Sequence, residues 1–310
     1  MSQAPAGSLV VAVLTYKRPE DLALAIPRLQ QQLDGAGGDA SILVVDNDPA
    51  ASARTAVEAF ASPQVRYVHE PRPGIAAARN RALAESAADS VLVFIDDDEV
   101  PTENWLRTLV SLHRSTGAAA VVGPVVSEYA RTPERWIQEG RFFDRRRLKT
   151  GTRLTVAATN NLLLDLPQIR RFGLSFDERF GLSGGSDTLF TRKLVRLGGV
   201  MLWCDEAAVI DRVPVSRLSR EWVLRRALRS GNSAARVSLE LAENAVEKAA
   251  VRGRHLVSGA VRIAGGSARL LAGTVTGSMS LRARGLRTIA RGTGMASGAF
   301  GYVYSEYKRK

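Results

Sequence analysis

Chemistry first becomes visible where the apolar run Val91-Leu92-Val93-Phe94-Ile95 meets the carboxylates Asp96, Asp97 and Asp98, with Glu99, Val100 and Pro101 closing the passage. Three acidic side chains in succession repel one another, and the arrangement costs stability unless a cation or hydrogen-bond donors offset it. Carboxylate oxygens are the ligands that Mg²⁺ and Mn²⁺ prefer, and Mg²⁺ sites commonly combine one or two carboxylates with the phosphates of a substrate. The plain alternative for such a run is a solvated acidic turn after a strand.

The elements around this stretch decide between the two. A continuous apolar run of this length predicts a strand buried on both faces, as in the middle of a parallel sheet. Before it, Leu9–Leu14 reads as a first strand, ending at Thr15-Tyr16-Lys17-Arg18-Pro19. A helix with Leu22, Leu24, Ile26, Leu29 and Leu33 as its apolar positions follows, and the glycines Gly35, Gly37 and Gly38 stop it. Ile42–Val45 is the second strand and runs into Asp46-Asn47-Asp48-Pro49; a helix around Ala53–Phe60 leads to a third strand, Val65–Val68. The alanine-rich segment Ile75–Leu83, carrying Arg79 and Asn80, predicts a further helix. Alternating strands and helices give a parallel α/β sheet with right-handed crossovers. In open sheets of this kind ligands bind at the carboxyl ends of the strands, and all three polar clusters sit at such ends. Neither a G-x-x-x-x-G-K-[ST] loop nor a G-x-G-x-x-G fingerprint follows the first strand, which argues against a kinase or a dehydrogenase.

Six fragments occur in the order seen in the family 2 glycosyltransferases of the GT-A fold, and over about 220 residues the chain resembles that family. They are Val13–Arg18, Val45–Asp48, Gly74–Asn80, Asp96–Asp98, the pair of segments Asn160–Leu163 and Phe176–Phe180, and Gly184–Thr188, with a weaker continuation to about Arg229. The resemblance is greatest to bacterial members that build cell-surface polysaccharides on lipid carriers. It implies a Rossmann-like, mostly parallel sheet flanked by helices, spanning residues 1–215, with a basic, helical C-terminal region at 216–310.

The same resemblance implies roles for individual residues. Asp98 is the metal ligand, for Mg²⁺ or Mn²⁺, Asp96 the contact to the donor ribose, and Asp97 the variable position between them. Thr15, Tyr16 and Arg18 line the nucleotide pocket, Asp46 accepts hydrogen bonds from the base, and Arg79 lies near the base or the diphosphate. The general base of the family comes from a Glu-Asp pair at a helix start beside the acceptor. Here Gly184-Gly185-Ser186-Asp187-Thr188 puts Ser186 at the Glu position and leaves Asp187 as the base. Asn161, Gly185 and Ser186 fall on the acceptor side, as do Trp222 and Arg225. A second departure lies at Asp211, which stands where many relatives carry a metal-ligating histidine; a carboxylate is also a competent ligand for these cations. The bland readings are an N-cap for Ser186 or Asp187, a surface arginine for Arg79, and ion pairing to Arg212 or Arg217 for Asp211.

Composition bounds the rest. The 310 residues carry 45% hydrophobic and 24% charged side chains, ordinary for a folded protein of this length. One cysteine, Cys204, excludes an intrachain disulfide and fits a reducing compartment. His69, His113 and His255 fall in no motif, and Trp105, Trp136 and Trp203 read as core or acceptor-side aromatics. Residues 1–211 hold 24 Lys and Arg against 26 Asp and Glu, whereas residues 212–310 hold 19 against 5, so the net charge of +12 resides in the C-terminal third. A helix from Ser219 through Val246 carries Trp222, Arg225, Arg226 and Arg229. Beyond Gly253, Arg254, Arg262 and Arg269 recur on one helical face among Leu256, Val257, Val261, Ile263, Leu270 and Leu271. This pattern suits helices in the interface of an anionic membrane. Packing on the catalytic region or on a second subunit is the alternative.

With no signal peptide and no apolar run of about 18 residues, the expectation is a cytoplasmic enzyme, peripheral on the inner face of the cell membrane. It takes a nucleotide-sugar donor, UDP-linked by default, and a glycan or polyprenyl-diphosphate-linked acceptor, and binds no nucleic acid. Two other classes are weighed: a sugar-nucleotide nucleotidyltransferase, disfavoured by the missing Gly-rich loop, and a non-catalytic scaffold, disfavoured by the presence of both Asp98 and Asp187.

Overall fold

A computed structural model describes residues 8–36 and 39–304; Gly37 and Gly38, and the first seven residues, lie outside it. The first seven elements are β1 (Leu9–Thr15), α1 (Pro19–Asp34), β2 (Ala40–Asp46), α2 (Arg54–Glu58), β3 (Val65–His69), α3 (Ile75–Glu85) and β4 (Val91–Asp96). There follow β5 (Glu99–Pro101), α4 (Trp105–Thr116), β6 (Ala120–Val122), β7 (Val125–Tyr129), α5 (Arg135–Gly140), β8 (Asn161–Asp165) and α6 (Leu166–Arg171). The chain ends with α7 (Ser186–Arg196), β9 (Met201–Trp203), β10 (Val209–Val213), α8 (Arg220–Glu240), α9 (Ala245–Val275) and α10 (Met279–Ala299). It divides into two compact units. One comprises residues 1–126, 145–181 and 186–212, and the other residues 127–144, 182–185 and 213–310.

The first unit is built on a seven-stranded sheet of order β3-β2-β1-β4-β8-β6-β9. β3, β2, β1 and β4 run parallel, β8 is antiparallel to both β4 and β6, and β9 is parallel to β6. Every residue of β1 is buried, and β4 is buried from Leu92 to Ile95. This explains the unbroken Val, Leu and Ile runs: helices cover both faces, so neither face selects polar side chains. One core includes α1 and α4 on one face, with Leu22, Ile26, Leu29, Trp105 and Leu109; the other includes α3 and α7, with Ala78, Ala82, Phe176 and Phe190. Leu24, read as an apolar helix position, is solvent-facing. The aromatic side chains Trp105, Trp136 and Trp203 are all buried core residues.

The second unit is helical. The single helix expected from Ser219 through Val246 is two. α8 ends at Glu240, and α9 starts afresh because the Asn244 side chain accepts a hydrogen bond from Glu247 N (2.9 Å) while the Glu247 carboxylate accepts one from Glu243 N (2.7 Å). This is a reciprocal cap that ends one helix and begins another. α10 lies between the other two long helices. Its Gly285 and Gly292 face α9 and its Gly294 and Gly298 face α8, at backbone contact. No helix among the described residues is long and apolar enough to cross a membrane.

Candidate active site

The carboxyl end of β4 holds a cluster of acids that spans more of the chain than the opening triplet. β4 stops at Asp96, the chain turns through Asp97 and Asp98, and β5 begins at Glu99. β10 pairs antiparallel with β5 so that Asp211 is the register partner of Glu99. The charges of Asp98, Asp97 and Asp211 all act on Asp96, and those of Asp96 and Asp211 act on Glu99. Burial, then Asp98, pushes the Asp96 carboxyl up to about 7, against the opposing charge of Arg79. Burial, then Asp96, also holds Glu99 well above the usual carboxylate range, although the Asn160 amide donates to it at 2.6 Å. Burial raises Asp97 to about 6, countered first by Arg18 and then by the Thr15 hydroxyl.

Two arginines meet this excess of negative charge. Arg18 donates to Asp97 (2.9 Å) and Asp98 (3.0 Å), and Thr15 Oγ1 donates to Asp97 (2.8 Å). The two residues expected in a nucleotide pocket thus fasten the end of β1 to the turn after β4, and Asp97 is the anchor that receives them. Tyr16, between them, is half-buried. Arg145 donates to Asp211 at 2.6 Å.

Asp46 departs from its expected role. It is fully buried, one carboxylate oxygen accepts from Asp48 N (2.9 Å), and the other accepts from Ala53 N (2.9 Å) and Tyr67 Oη (3.1 Å). A residue so enclosed shapes the loop after β2. Asn161 departs likewise. Its amide accepts from Trp105 Nε1 (2.9 Å) and donates to the carbonyls of Pro124 (3.0 Å) and Ala207 (2.8 Å), all buried. It is a brace between segments instead of an acceptor contact. Neighbouring side chains of an extended chain point to opposite faces, so the preceding residue, Asn160, is the one that reaches the carboxylates.

α3 and α7 carry the other half of the site. Gly74 caps α3 at φ +112, where only glycine is unstrained, and a Cβ there would press on the backbone of Gly181 at 3.3 Å. Two turns on, Asn80 donates to Phe176 O and accepts from Phe176 N, both at 2.8 Å. The adjacent Arg79 lies over the Phe176 ring, 5.4 Å from its centroid, and donates to Ser186 Oγ at 2.8 Å. Arg79 is buried and its Nε has no hydrogen-bond partner, so it is no surface arginine. Arg79 thus bonds the first residue of α7 while its charge also moderates Asp96. Asp187, next along α7, is partly exposed and its Oδ1 accepts from Thr188 N at 2.7 Å.

Gly185, Trp222 and Arg225 belong to the second unit. Gly185 takes φ +103 ahead of α7. Trp222 stacks on Phe143 at 5.7 Å with 11° between the rings, and Arg225 pairs with Glu221 one turn before it. Glu99, Asn160 and Arg145 are site residues that sequence reading missed. Glu99 continues the acidic run and Asn160 adjoins the Asn161 motif; nothing local marks Arg145. The described residues contain no group of three or more His, Cys, Asp or Glu side chains placed to hold a metal ion together.

The fold that positions these residues is shared with solved glycosyltransferase structures. A mannosyltransferase from Pyrobaculum calidifontis, in complex with GDP-Man and Mn²⁺, aligns with 92% of this chain and 86% of its own at TM-score 0.56 and 18% identity. A GalNAc-T7 structure with UDP, GalNAc and Mn²⁺ aligns with 78% of this chain at TM-score 0.55 and 14% identity, and this chain spans about half of it (52%). The fold is therefore GT-A. Succinoglycan biosynthesis protein ExoM of Rhizobium meliloti is 36% identical over 235 residues, 75% of each chain. Residues 10–166 match the profile of Glycosyl transferase family 2, and the chain belongs to that family.

Proposed function

We propose that this protein is an inverting, divalent-cation-dependent hexosyltransferase that moves a sugar from a nucleotide diphosphate, UDP by default, to a hydroxyl of a lipid-linked oligosaccharide in cell-surface polysaccharide synthesis. The observation that carries the reading is the buried carboxylate cluster at the end of β4, where Asp96, Glu99 and Asp211 repel one another and two carboxyls sit well above their ordinary range. Such a site favours a hard cation that brings its remaining oxygen ligands from phosphates, so a full cage of protein ligands is not required. Asp98 and Asp211 are the residues that would hold Mg²⁺ or Mn²⁺. When bound, the cation supplies positive charge to the departing diphosphate.

The chain's own residues do the rest. Thr15 and Arg18 fix the turn that presents Asp98, and Asp96 faces the donor ribose. Arg79 restrains the start of α7 through Ser186 and so positions Asp187. Asp187 takes the proton of the acceptor hydroxyl as its oxygen bonds to the anomeric carbon. The carbon–oxygen bond to the diphosphate breaks on the opposite side, which inverts the configuration. Ser186, where relatives have Glu, leaves the base in place and changes how the acceptor is held. The ExoM likeness supports a part in polysaccharide synthesis; the lipid-linked acceptor and a peripheral place on the inner membrane face extend the proposal beyond that likeness.

The test is transfer by purified protein across a panel of nucleotide sugars with Mn²⁺. Asp187→Asn is expected to keep donor binding while transfer falls about a hundredfold or more, the scale of losing a general base. Wild-type transfer by that variant would overturn the base assignment, and absence of turnover or donor hydrolysis across the panel would overturn the reading.

A further inference from the structure

Among the described residues, nothing in its own unit covers the outer face of α9. Gly259, Gly266 and Gly273, seven residues apart, meet α10 so closely that added Cβ atoms would come within 2.7–2.9 Å of it. At 3.6 residues per turn the opposite side of α9 lies about 180° from this glycine line. That side is apolar yet open to solvent: Val246 is 81% exposed, Val257 and Val261 65%, Leu271 66% and Val275 79%. These five fall within an arc of about 80° along roughly 45 Å of helix, and alanines and glycines fill most of the surface between them. Soluble surfaces seldom keep a continuous apolar strip of this length uncovered.

Charge identifies what covers it. From Lys248 to Tyr304 there are nine Lys and Arg and no Asp or Glu. Arg254, Arg262 and Arg269 line one flank of the apolar strip by the same helical count. A second copy of the chain laid on this face would bring arginines against arginines, and the one acid of α9, Glu247, is engaged at the helix start by Glu243 N. No helix among the described residues is long and apolar enough to span a bilayer, whereas an apolar face flanked by cations matches a helix lying in the interface of an anionic bilayer.

We infer that the exposed face of α9 docks on an anionic phospholipid surface, with Val257, Val261, Leu271 and Val275 entering the interface and Arg254, Arg262 and Arg269 meeting the headgroups. This deepens the membrane part of the reading above, but its evidence is independent of the catalytic assignment.

The experiment is flotation of the full chain with phosphatidylcholine vesicles, with and without about a third phosphatidylglycerol. Wild-type protein should float only with the anionic vesicles, and less so as salt rises. The triple variant Val257→Asp/Val261→Asp/Leu271→Asp should bind at least tenfold less with an unchanged melting temperature. Arg254→Gln/Arg262→Gln/Arg269→Gln should lose the preference for anionic lipid. Wild-type protein that stays unbound, or a triple variant that binds equally, would overturn the inference. So would a wild-type dimer that the triple variant turns into a monomer, since the face would then serve self-association. As Cys204 is buried, an environment-sensitive dye on Leu271→Cys reports the face directly: a blue shift with anionic vesicles is expected, and no shift would count against docking. Hydrolysis of a soluble nucleotide sugar without vesicles, measured on the same variants, separates failure of docking from failure of the glycosyltransferase reading.

Discussion

The end of β4 and the α9–α10 hairpin manage charge in opposite ways. At the strand end acids lie together, and burial with mutual repulsion raises the Asp96 and Glu99 carboxyls above their ordinary range. In the hairpin there are nine cations and no acids between Lys248 and Tyr304, and the helices are joined by glycine backbones instead of ion pairs. The first arrangement stores electrostatic stress where chemistry is to happen. The second keeps charge away from its packing seam and leaves it at the periphery. Buried charge in excess thus points to a ligand of opposite sign, while exposed charge beside bare apolar surface points to a surface.

Breaking either arrangement should give distinct signatures. The largest effect is expected in the seam: Gly294→Ala puts a Cβ 1.9 Å from Leu228 O, which is backbone and cannot swing aside. A loss of about 3 kcal/mol or more is expected from such overpacking, seen as a lower denaturation midpoint. Next is Asn161→Ala, which leaves Trp105 Nε1 and two carbonyls without their buried partner. A loss of about 2–3 kcal/mol follows, with metal and donor binding reduced only through stability.

The acidic cluster gives a pH signature. Asp96 is held near 7 when folded, above the unfolded carboxyl value, so the folded state binds more protons between about 4 and 7. Without added metal, stability should therefore fall as pH rises through that window. Mn²⁺ should restore more of it at pH 7.5 than at pH 5, measured by thermal denaturation at both pH values. An apo protein whose stability is flat across this window would show that the cluster carries no such stress. The smallest effect has the opposite sign. At Gly253 a Cβ meets nothing within 4 Å, so Gly253→Ala should stabilise α9 by about 0.5–1 kcal/mol through helix propensity.

How much of this was legible in the chain differs between the two regions. The buried parallel strands and the polar clusters at their ends follow from patterns that one can read along the sequence, whereas Asp211 was pointed to only by the family resemblance. The uses of Asp46 and Asn161 did not follow, because a buried polar side chain and a ligand contact have the same residue type. Only the partners, such as Tyr67 and Trp105, separate the two. The break between α8 and α9 was written in Asn244 and Glu247 but hidden inside an otherwise continuous helical pattern. The glycine seam was not legible either, since seven-residue spacing of glycines shows a packing line only once the second helix is known to lie against it.

The central claim is that the acids where β4 ends bind the nucleotide diphosphate through a divalent cation. Calorimetric titration of UDP into wild-type protein and Asp98→Ala, with and without Mn²⁺, tests it most directly. The account predicts binding by wild-type protein that requires Mn²⁺ and weakens at least tenfold in Asp98→Ala. UDP binding of equal strength without the cation, or unchanged in the variant, would contradict it.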